Sequence, residues 1–302
     1  MTPDWIAVDW GTSHLRAWAL SASDTVLWSG QSGDGIGQLS GNRFEPALIA
    51  LIGDVLGASR CDVLACGMIG SRQGWVEAGY EVVPCTPNAL QATLAESRDP
   101  RISVRVIGGV KQTSPPDVMR GEETQIAGFL SLNKDFDGVV CLPGTHTKWA
   151  HISAGEIVSF KTFMTGELFA CISNDSVLRH SVDENADAWD ADAFDRAVSE
   201  TLSRPERLAG ALFSIRAEHL LQGAAPEKAR ATLSGLLVGA ELAAARPYWL
   251  GQHVAVVGAE RLSQAYRAAL EAQGAAVTIA QAEHMTLAGL RAARKKLRET
   301  AG

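Results

Sequence analysis

A strand followed by a glycine-threonine turn occurs twice in this chain, at positions separated by almost half its length. In the first copy the apolar residues 5–8 lead into Asp9-Trp10-Gly11-Thr12-Ser13-His14, and in the second the apolar residues 139–142 lead into Pro143-Gly144-Thr145-His146. A basic residue and a tryptophan follow each turn. In a chain of 302 residues this spacing predicts two similar domains, each offering one tight turn to a cleft between them.

The two glycine-threonine turns suggest phosphate binding. A glycine lets the backbone approach a ligand without a Cβ, and the N–H and hydroxyl groups that follow it can point at phosphate oxygens. Two such turns across a cleft would hold a nucleotide from both sides, which is typical of a kinase or an ATPase. The sequence contains no Gly-x-x-x-x-Gly-Lys-Ser/Thr motif, so a P-loop kinase is not expected.

Composition narrows the class of protein and of partner. The 46% hydrophobic and 20% charged residues are typical of a globular chain, and a net charge of −7 argues against a nucleic-acid partner. The basic stretch 291–298 is expected to be the solvated face of a last helix. Five cysteines without a Cys-x-x-Cys pair predict mostly buried free thiols. Because no signal segment or membrane-spanning apolar run is visible, we expect a soluble, cytoplasmic protein with no membrane contact.

The pattern of apolar residues predicts an α/β chain in which strand-strand-strand-helix-strand-helix occurs twice. We expect an N-terminal lobe of residues 1–130 and a C-terminal lobe of residues 131–302. The predicted strands cover residues 5–9, 15–20, 25–29, 62–66, 103–110, 138–142, 148–152, 156–164, 254–257 and 276–280. The predicted helices cover residues 46–56, 122–132, 166–180, 192–203, 207–221, 227–242, 262–273 and 286–297.

Three carboxylates are candidates for phosphoryl-transfer chemistry. Asp9 ends an apolar strand just before Gly11, where a carboxylate can hold Mg²⁺ beside phosphates; an Asp that caps a β-turn is the alternative. Glu122 and Glu123 open a predicted helix, where a carboxylate could accept the proton of a substrate hydroxyl. Acidic residues in a first turn also interact favourably with the helix dipole, which would make their role structural.

The loop of residues 67–75 is a candidate substrate site. It follows an apolar strand and contains Ser71, Arg72 and Trp75, and loops at strand ends are where small-molecule sites are built. Arg72 could pair with a substrate carboxylate, or it could form a surface ion pair instead.

Two further segments have both a structural and a functional interpretation. Glu167 follows Thr165-Gly166 and either contacts substrate or belongs to the N-terminus of a helix. Gly258 and Ala259 follow an apolar strand and form either a plain strand-to-helix turn or the floor under an adenine ring.

Taken together, these segments resemble the 2-dehydro-3-deoxygalactonokinase family, sugar-acid kinases of the actin-like, sugar-kinase ATPase superfamily. The resemblance covers most of the chain, in the family's order. The matching segments are Asp9-Trp10-Gly11 with Leu15-Arg16-Ala17-Trp18, Val118-Met119-Arg120-Gly121-Glu122-Glu123-Thr124-Gln125, Pro143-Gly144-Thr145-His146 with Lys148-Trp149, Met164-Thr165-Gly166-Glu167-Leu168, and Ser234-Gly235-Leu236-Leu237-Val238-Gly239-Ala240-Glu241.

The resemblance implies two ribonuclease-H-like lobes around a nucleotide cleft, with ATP and Mg²⁺ as cofactors and a sugar acid as substrate. The reaction it implies is transfer of the γ-phosphoryl group to the 6-hydroxyl of 2-dehydro-3-deoxy-D-galactonate. Glu122 takes the place of the general base, with Glu123 as its competitor. The residues implied for the phosphates are Gly11, Thr12, Ser13, Gly144, Thr145 and His146, and those for adenosine are Gly258 and Ala259. The candidates for the substrate come from the residues themselves and are Ser71, Arg72, Trp75, Arg120 and Glu167.

Several alternatives stay open at this point. The substrate carboxylate could be held by Arg72, Arg16 or Arg120, and the substrate could be a related 2-keto-3-deoxy acid such as the C4 epimer. The same fold could also serve a non-catalytic sugar sensor or a phosphohydrolase. The sequence leaves a homodimer open.

Overall fold

The structure, a computed structural model, describes residues 2–183 and 188–301. Its strands are β1 (Trp5–Trp10), β2 (Leu15–Leu20), β3 (Val26–Ser32), β4 (Cys61–Cys66), β5 (Tyr80–Val82), β6 (Ala92–Ala95), β7 (Ile102–Ile107), β8 (Gly109–Thr113), β9 (Pro116–Met119), β10 (Gly138–Leu142), β11 (Thr147–Ser153), β12 (Glu156–Phe163), β13 (His253–Gly258) and β14 (Ala276–Gln281). Its α-helices are α1 (Phe44–Ile52), α2 (Glu122–Leu132), α3 (Thr165–Asp175), α4 (Ala191–Ser203), α5 (Leu208–Gln222), α6 (Pro226–Ala244), α7 (Arg246–Trp249), α8 (Glu260–Glu271) and α9 (Ala282–Ala301).

Two sheets repeat the same strand order. The first runs β3-β2-β1-β4-β7-β6, and the second runs β12-β11-β10-β13-β14. In the first, β1 to β3 form an antiparallel meander and β4 joins the free edge of β1 in parallel. In the second, β13 likewise joins β10 in parallel. This is the ribonuclease-H-like order, so the predicted α/β fold with two similar domains is confirmed.

The chain divides into two compact units. The first comprises Met1–Asp137, Ile152–Phe160 and Ala280–Gly302, and the second comprises Gly138–His151 and Lys161–Ile279. This division differs from the predicted boundary, chiefly because α9 packs on α2 in the first unit. At Gly128 of α2 a Cβ would lie 1.9 Å from the carbonyl oxygen of Met285, so the two helices meet backbone to backbone.

Strand β1 shows why the first sheet positions a polar residue at one end. All its residues are buried except Asp9, which is half-buried. A strand buried on both faces is expected at the centre of a sheet covered by helices on both sides. The hydrophobic core on one face contains Ile6, Val8 and Trp10. Asp9 is therefore a carboxylate held at the carboxyl end of an otherwise apolar central strand.

The local elements agree with the sequence pattern more closely than the connections do. Helix α2 and strand β10 have the predicted bounds, whereas the predicted strand 103–110 is divided between β7 and β8. Residues 114 and 115 form the turn of the β8–β9 hairpin. Long-range pairing of β8 with β5 supplies a third sheet, β5-β8-β9, that the local pattern did not predict.

The prediction for the cysteines is confirmed, whereas the prediction for the basic C-terminal stretch is only partly correct. All five cysteines are free and only Cys171 is exposed, as expected. The basic stretch is not simply a solvated face, because the guanidinium of Arg294 lies 4.6 Å from the ring centroid of Trp5 and pairs with Asp24 at 3.1 Å. Among the helices of the described chain, none combines the length and apolar character needed to cross a membrane.

Candidate active site

The first glycine-threonine turn (residues 11–14, hereafter the first turn) is held by its own backbone and by a neighbouring loop. The N–H of Gly11 donates to the carbonyl of His14 at 3.0 Å, which closes the turn. The N–H of Gly37 donates to the carbonyl of Thr12 at 2.9 Å. A Cβ on Gly35 would lie 2.2 Å from that same oxygen, so only glycine fits there. The side chains of Thr12 and Ser13 remain exposed.

Asp9 lies at the base of the first turn and is surrounded by charge. Its Oδ2 accepts a hydrogen bond from Nη1 of Arg16 at 3.3 Å, and 19% of its side chain is exposed. Burial raises the pKa of Asp9, the charge of Arg16 opposes that rise, and the charges of Glu122 and Glu283 add to it. Three carboxylates therefore lie close enough to interact electrostatically at the end of β1.

The two glutamates that open α2 have different environments. Gly121 has a φ of +107°, which favours glycine, and the helix begins at the next residue. Oε2 of Glu122 accepts from the N–H of Arg120 at 3.1 Å, and the side chain is half-buried. Oε2 of Glu123 accepts from the N–H of Gly121 at 2.6 Å, and this residue is 0% exposed.

Burial raises the pKa of Glu123 and also keeps ligands away from its carboxylate. Burial, together with the charge of Glu122, raises the pKa of Glu123 to about 7. A pKa near neutrality suits a general base, but a base must also come within hydrogen-bond reach of the proton that it accepts. Glu122 has exposed surface, whereas Glu123 is enclosed and hydrogen-bonded to Gly121 and Thr124. Of the two, Glu122 can contact a ligand without any rearrangement.

The polar residues of the candidate substrate loop differ in how far they are exposed. Arg72 pairs with Glu77 at 3.5 Å, and its side chain is 81% exposed. Ser71 is buried. The indole of Trp75 is half-buried, donates to the carbonyl of Glu96 at 3.0 Å and packs edge-on against Trp10.

Arg120 contacts this loop from the residue before Gly121. Its Nη2 donates to the carbonyl of Ala78 at 2.7 Å, and its guanidinium lies 4.2 Å from the ring centroid of Tyr80. It is buried, and within the described residues its Nε and Nη1 have no hydrogen-bond partner. Arg120 therefore shapes the loop, while Arg72 is the arginine that faces solvent.

The second glycine-threonine turn (residues 144–146, hereafter the second turn) is held by the start of α3. The N–H of Glu167 donates to the carbonyl of Thr145 at 2.9 Å. A Cβ on Gly166 would lie 2.2 Å from the carbonyl oxygen of Gly144. The Glu167 carboxylate is hydrogen-bonded to Nε2 of His146, so both side chains border this turn.

A cavity of about 440 Å³ opens beside the second turn. Gly258 precedes Ala259, which lines the cavity, and a Cβ on Gly258 would lie 2.8 Å from Oγ of Ser263. This volume lies within the range of small-molecule sites. The cavity joins the second turn to the segment after β13, and its lining includes Gly144, Thr145, Thr165, Ala259, Leu262 and Tyr266.

A model of the 2-keto-3-deoxy-galactonokinase family matches residues 9–293. The chain belongs to this family. It is 38% identical over 296 residues to DgoK1 of Rhizobium meliloti (strain 1021), named a probable 2-dehydro-3-deoxygalactonokinase, with 96% of each chain covered. It is 35% identical over 294 residues to the 2-dehydro-3-deoxygalactonokinase of Escherichia coli (strain K12), covering 96% of this chain and 97% of that protein.

One solved structure agrees with membership of the 2-keto-3-deoxy-galactonokinase family, and a second agrees with the fold. A crystal structure of a candidate 2-dehydro-3-deoxygalactonokinase from Sinorhizobium meliloti has a TM-score of 0.88 at 39% identity, and 96% of each chain is covered. The activator of 2-hydroxyisocaproyl-CoA dehydratase from Clostridium difficile, solved with bound ADPNP, has a TM-score of 0.52 at 11% identity. That alignment covers 98% of this chain and 97% of the other, and at this identity it concerns the fold alone.

Sequence reasoning missed some residues around both turns of this family member. Glu283 lies in the first turn of α9, far along the chain, yet its charge acts on Asp9. Gly35 supports the first turn from a loop whose only signal was its glycines. Glu241 was noticed as part of a family segment, but no pattern in the sequence assigned it a partner.

Proposed function

We propose that this chain transfers the γ-phosphoryl group of ATP to the 6-hydroxyl of 2-dehydro-3-deoxy-D-galactonate, in the catabolism of galactonate. The observation that carries the proposal is that Glu122, which keeps exposed surface, lies close enough to Asp9 at the base of the first turn to interact with it electrostatically. The chain that carries these two carboxylates belongs to the 2-keto-3-deoxy-galactonokinase family. Two carboxylates of this kind supply what phosphoryl transfer to an alcohol needs: a proton acceptor and a negative charge that can hold Mg²⁺ beside the phosphates.

We assign phosphate binding to the glycine-threonine turn of each unit, and adenosine binding to the cavity beside the second turn. Thr12 and Ser13 offer backbone N–H and hydroxyl donors in an exposed turn, as phosphate oxygens require, and Gly11 lets the backbone come close to them. The adenosine would occupy the 440 Å³ cavity next to Gly258 and Ala259. The cavity continues to the backbone of the second turn, so one ligand could contact both.

Asp9 is our candidate for organising Mg²⁺. Magnesium usually keeps several waters and is bound through one or two carboxylates plus substrate phosphates. The site fits that pattern, because Asp9 retains exposed surface and lies near other carboxylates whose charges a divalent cation would offset. Within the described residues no three or more His, Cys, Asp and Glu side chains form a metal-binding cluster, so a dedicated protein cage is absent there. The ion would supply charge neutralisation of the phosphates.

The proposed chemical step uses Glu122 as general base. The oxygen of the 6-hydroxyl forms a bond to the γ-phosphorus while the bond between that phosphorus and the β-γ bridging oxygen breaks. The hydroxyl proton passes to the carboxylate of Glu122, and ADP leaves. Since positioning and charge neutralisation supply most of the catalysis, a weakly basic carboxylate is sufficient.

Arg72 is our candidate for the carboxylate of the sugar acid. Its guanidinium is exposed and pairs with the exposed Glu77, so a substrate carboxylate could replace Glu77. Ser71, Trp75 and Arg120 would support this loop, and Glu167 is a further candidate for contacting the substrate. We place the reaction in the cytoplasm, where buried free thiols such as those of this chain persist.

A coupled assay of ADP formation tests the proposal. Purified protein is given ATP, Mg²⁺ and a panel of 2-keto-3-deoxy acids, including both C4 epimers, and ADP formation is compared with and without each acid. We expect ADP only when the acid is present, with 2-dehydro-3-deoxy-D-galactonate the best substrate. ADP formation without any acid would indicate a phosphohydrolase, and binding without turnover would indicate a sensor.

The Arg72→Ala variant tests the assignment of the substrate carboxylate. A charge-assisted hydrogen bond contributes about 1.5–3 kcal/mol, so kcat/KM for the acid should fall roughly ten- to a hundred-fold. The substrate analogue reduced to an alcohol at C1 is the control, since it lacks the anion and should lose little in the variant. Equal losses for acid and alcohol would contradict the assignment and favour Arg120 or Arg16.

A further inference from the structure

Glu241 is a buried carboxylate in the second unit to which the proposed chemistry assigns no role. It lies on α6, at the end of the Ser234–Glu241 family segment, and is only 4% exposed. Its Oε1 accepts a hydrogen bond from the indole Nε1 of Trp149 at 2.8 Å. Its Oε2 accepts from the hydroxyl of Tyr266 at 2.8 Å and also from the hydroxyl of Thr165.

These three donors come from three elements that border the second turn. Trp149 lies on β11, which begins directly after the turn. Thr165 is the first residue of α3 and precedes Gly166, which abuts the backbone of Gly144. Tyr266 lies on α8 and lines the same cavity as Gly144 and Thr145. One side chain thus joins β11, α3 and α8 around the turn.

Burying a carboxylate is costly, and that cost indicates what the group does. Burial raises the pKa of Glu241, while hydrogen bonds from Thr165, Trp149 and Tyr266 act in the opposite direction. An apolar residue at this position would avoid the desolvation penalty, but it would take the acceptor from the Trp149 indole N–H and the Thr165 hydroxyl and would leave the Tyr266 hydroxyl to its hydrogen bond with Thr147. A carboxylate offers enough lone pairs to accept from all three donors at once.

We propose that Glu241 is a positioning residue for nucleotide binding. By holding the start of α3 and the Tyr266 wall of the cavity, it fixes the backbone of the second turn in its ligand-binding geometry before the nucleotide arrives. This inference rests on the proposed function only in that the second turn and its cavity bind ATP. Preorganisation of this kind improves affinity because fewer groups must be ordered on binding.

The test compares Glu241→Gln with a matched control, Glu218→Gln. Glutamine has nearly the same shape, but its amide nitrogen cannot accept a hydrogen bond and would face at least one donor. We expect KM for ATP, and the dissociation constant of ADP measured by calorimetry, to rise roughly ten-fold, as the loss of a hydrogen bond to a charged group implies. KM for the sugar acid should change less than about two-fold, a ratio worth little free energy.

Glu218 provides the control because the same substitution removes a carboxylate from the same unit. Its Oε2 pairs with Lys228 on α6 at 2.7 Å, at a partly exposed position outside the cavity. Glu218→Gln should keep the nucleotide affinity of the wild type. If Glu241→Gln lowers the melting temperature but leaves both the ADP dissociation constant and KM for ATP unchanged, Glu241 is merely structural and the proposal is overturned.

A second pair of variants keeps the test valid if Glu241→Gln does not fold. Thr165→Val removes the hydroxyl that reaches Glu241 and keeps the shape, whereas Thr165→Ser retains a hydroxyl. We expect Thr165→Val to weaken ADP binding and Thr165→Ser to recover most of the loss. Equal affinities for the two variants would overturn the proposal.

Spectroscopy and nucleotide binding separate this inference from the proposed function. The indole N–H resonance of Trp149, assigned by its disappearance in Trp149→Phe, should shift in the Thr165→Val variant and on addition of ADP. A wild type that binds ADP but does not phosphorylate the acid would contradict the proposed function and still leave the ADP-binding comparison decisive for Glu241. A wild type that binds no nucleotide would overturn both.

Discussion

The two glycine-threonine turns are packed in a similar way but differ in their nearby side chains. Each is backed by a glycine whose Cβ would lie 2.2 Å from a carbonyl oxygen of the turn, Gly35 at the first and Gly166 at the second. The residue two positions before the turn glycine is Asp9 in the first copy and Leu142 in the second. Only the first turn therefore has a carboxylate at the end of its own strand.

The carboxylates near the two turns also differ in what they contact. At the first turn Asp9 interacts with the charges of Glu122, Glu283 and Arg16, and it keeps exposed surface. At the second turn Glu241 comes from a separate helix, is buried, and accepts hydrogen bonds from neutral donors. The comparison teaches that both copies share a glycine packed against a carbonyl of the turn, while a half-buried carboxylate ends the preceding strand in the first copy and not in the second.

The largest effect is expected when the proposed base beside the first turn is removed. Glu122→Gln should lower kcat roughly 10²–10⁴-fold, because the amide keeps the shape but cannot accept the proton, and should leave ADP binding nearly unchanged. Steady-state kinetics and calorimetry measure the two quantities. Glu123→Gln is the control, and our assignment is wrong if that variant loses turnover while Glu122→Gln retains it.

The raised pKa of Glu123, which neighbours the carboxylate of Glu122, should make the stability of the protein depend on pH. Its folded pKa of about 7 exceeds the ordinary value of 4.5, so between these pH values the folded state binds more protons than the unfolded state. Its contribution to stability is therefore complete below pH 4.5 and is lost as the pH rises through 7. Over that range the unfolding free energy of Glu123→Gln should rise relative to that of the wild type by on the order of 3 kcal/mol.

Chemical denaturation of the two proteins from pH 4.5 to pH 8 measures this difference. Glu122→Gln supplies the control, because removing a neighbouring negative charge should lower the pKa of Glu123 and narrow the pH window. A difference in unfolding free energy that does not depend on pH would show that Glu123 titrates alike in the folded and unfolded states.

Asp9→Asn tests whether the carboxylate at the first turn acts on magnesium. A neutral amide is a poorer partner for a hard cation, so activity at limiting Mg²⁺ should fall roughly 10–100-fold and recover in part as Mg²⁺ is raised. Asp34→Asn removes a carboxylate from the loop beside the same turn, where Oδ2 accepts from the Ser32 hydroxyl at 2.9 Å. An equal magnesium dependence in the wild type and both variants would reduce Asp9 to a structural residue of the turn.

The smallest expected effect tests what the two turns share. Gly35→Ala and Gly166→Ala should each destabilise the protein by about 1–3 kcal/mol, because the new methyl group overlaps the backbone of its turn. Thermal denaturation measures the loss, and the KM for ATP should rise in both. Gly33→Ala and Gly210→Ala are the controls, since a Cβ there meets no atom within 4 Å. If both variants are as stable as these controls, the two turns do not share this packing of a glycine against the backbone.

Much of the fold and part of the candidate site could be predicted from local sequence. The strand-turn pattern located both turns, and the first residue of α2 was predicted correctly at Glu122, because apolar spacing and residues with special backbone preferences act over a few positions. The family segments likewise identified the chain. The same pattern gave equal weight to Glu122 and Glu123, since neighbouring residues in a sequence do not reveal which one is enclosed.

The sequence by itself determined a duplicated α/β chain with a carboxylate at the first turn and none at the end of the equivalent second strand. Packing alone assigned the partners: Glu283 approaches Asp9, Glu241 accepts from Trp149 and Tyr266, and α9 joins the first unit. These contacts join residues far apart in the chain. Whether such residues meet depends on how whole strands and helices pack, and burial, which sets both pKa and accessibility, is a property of that packing.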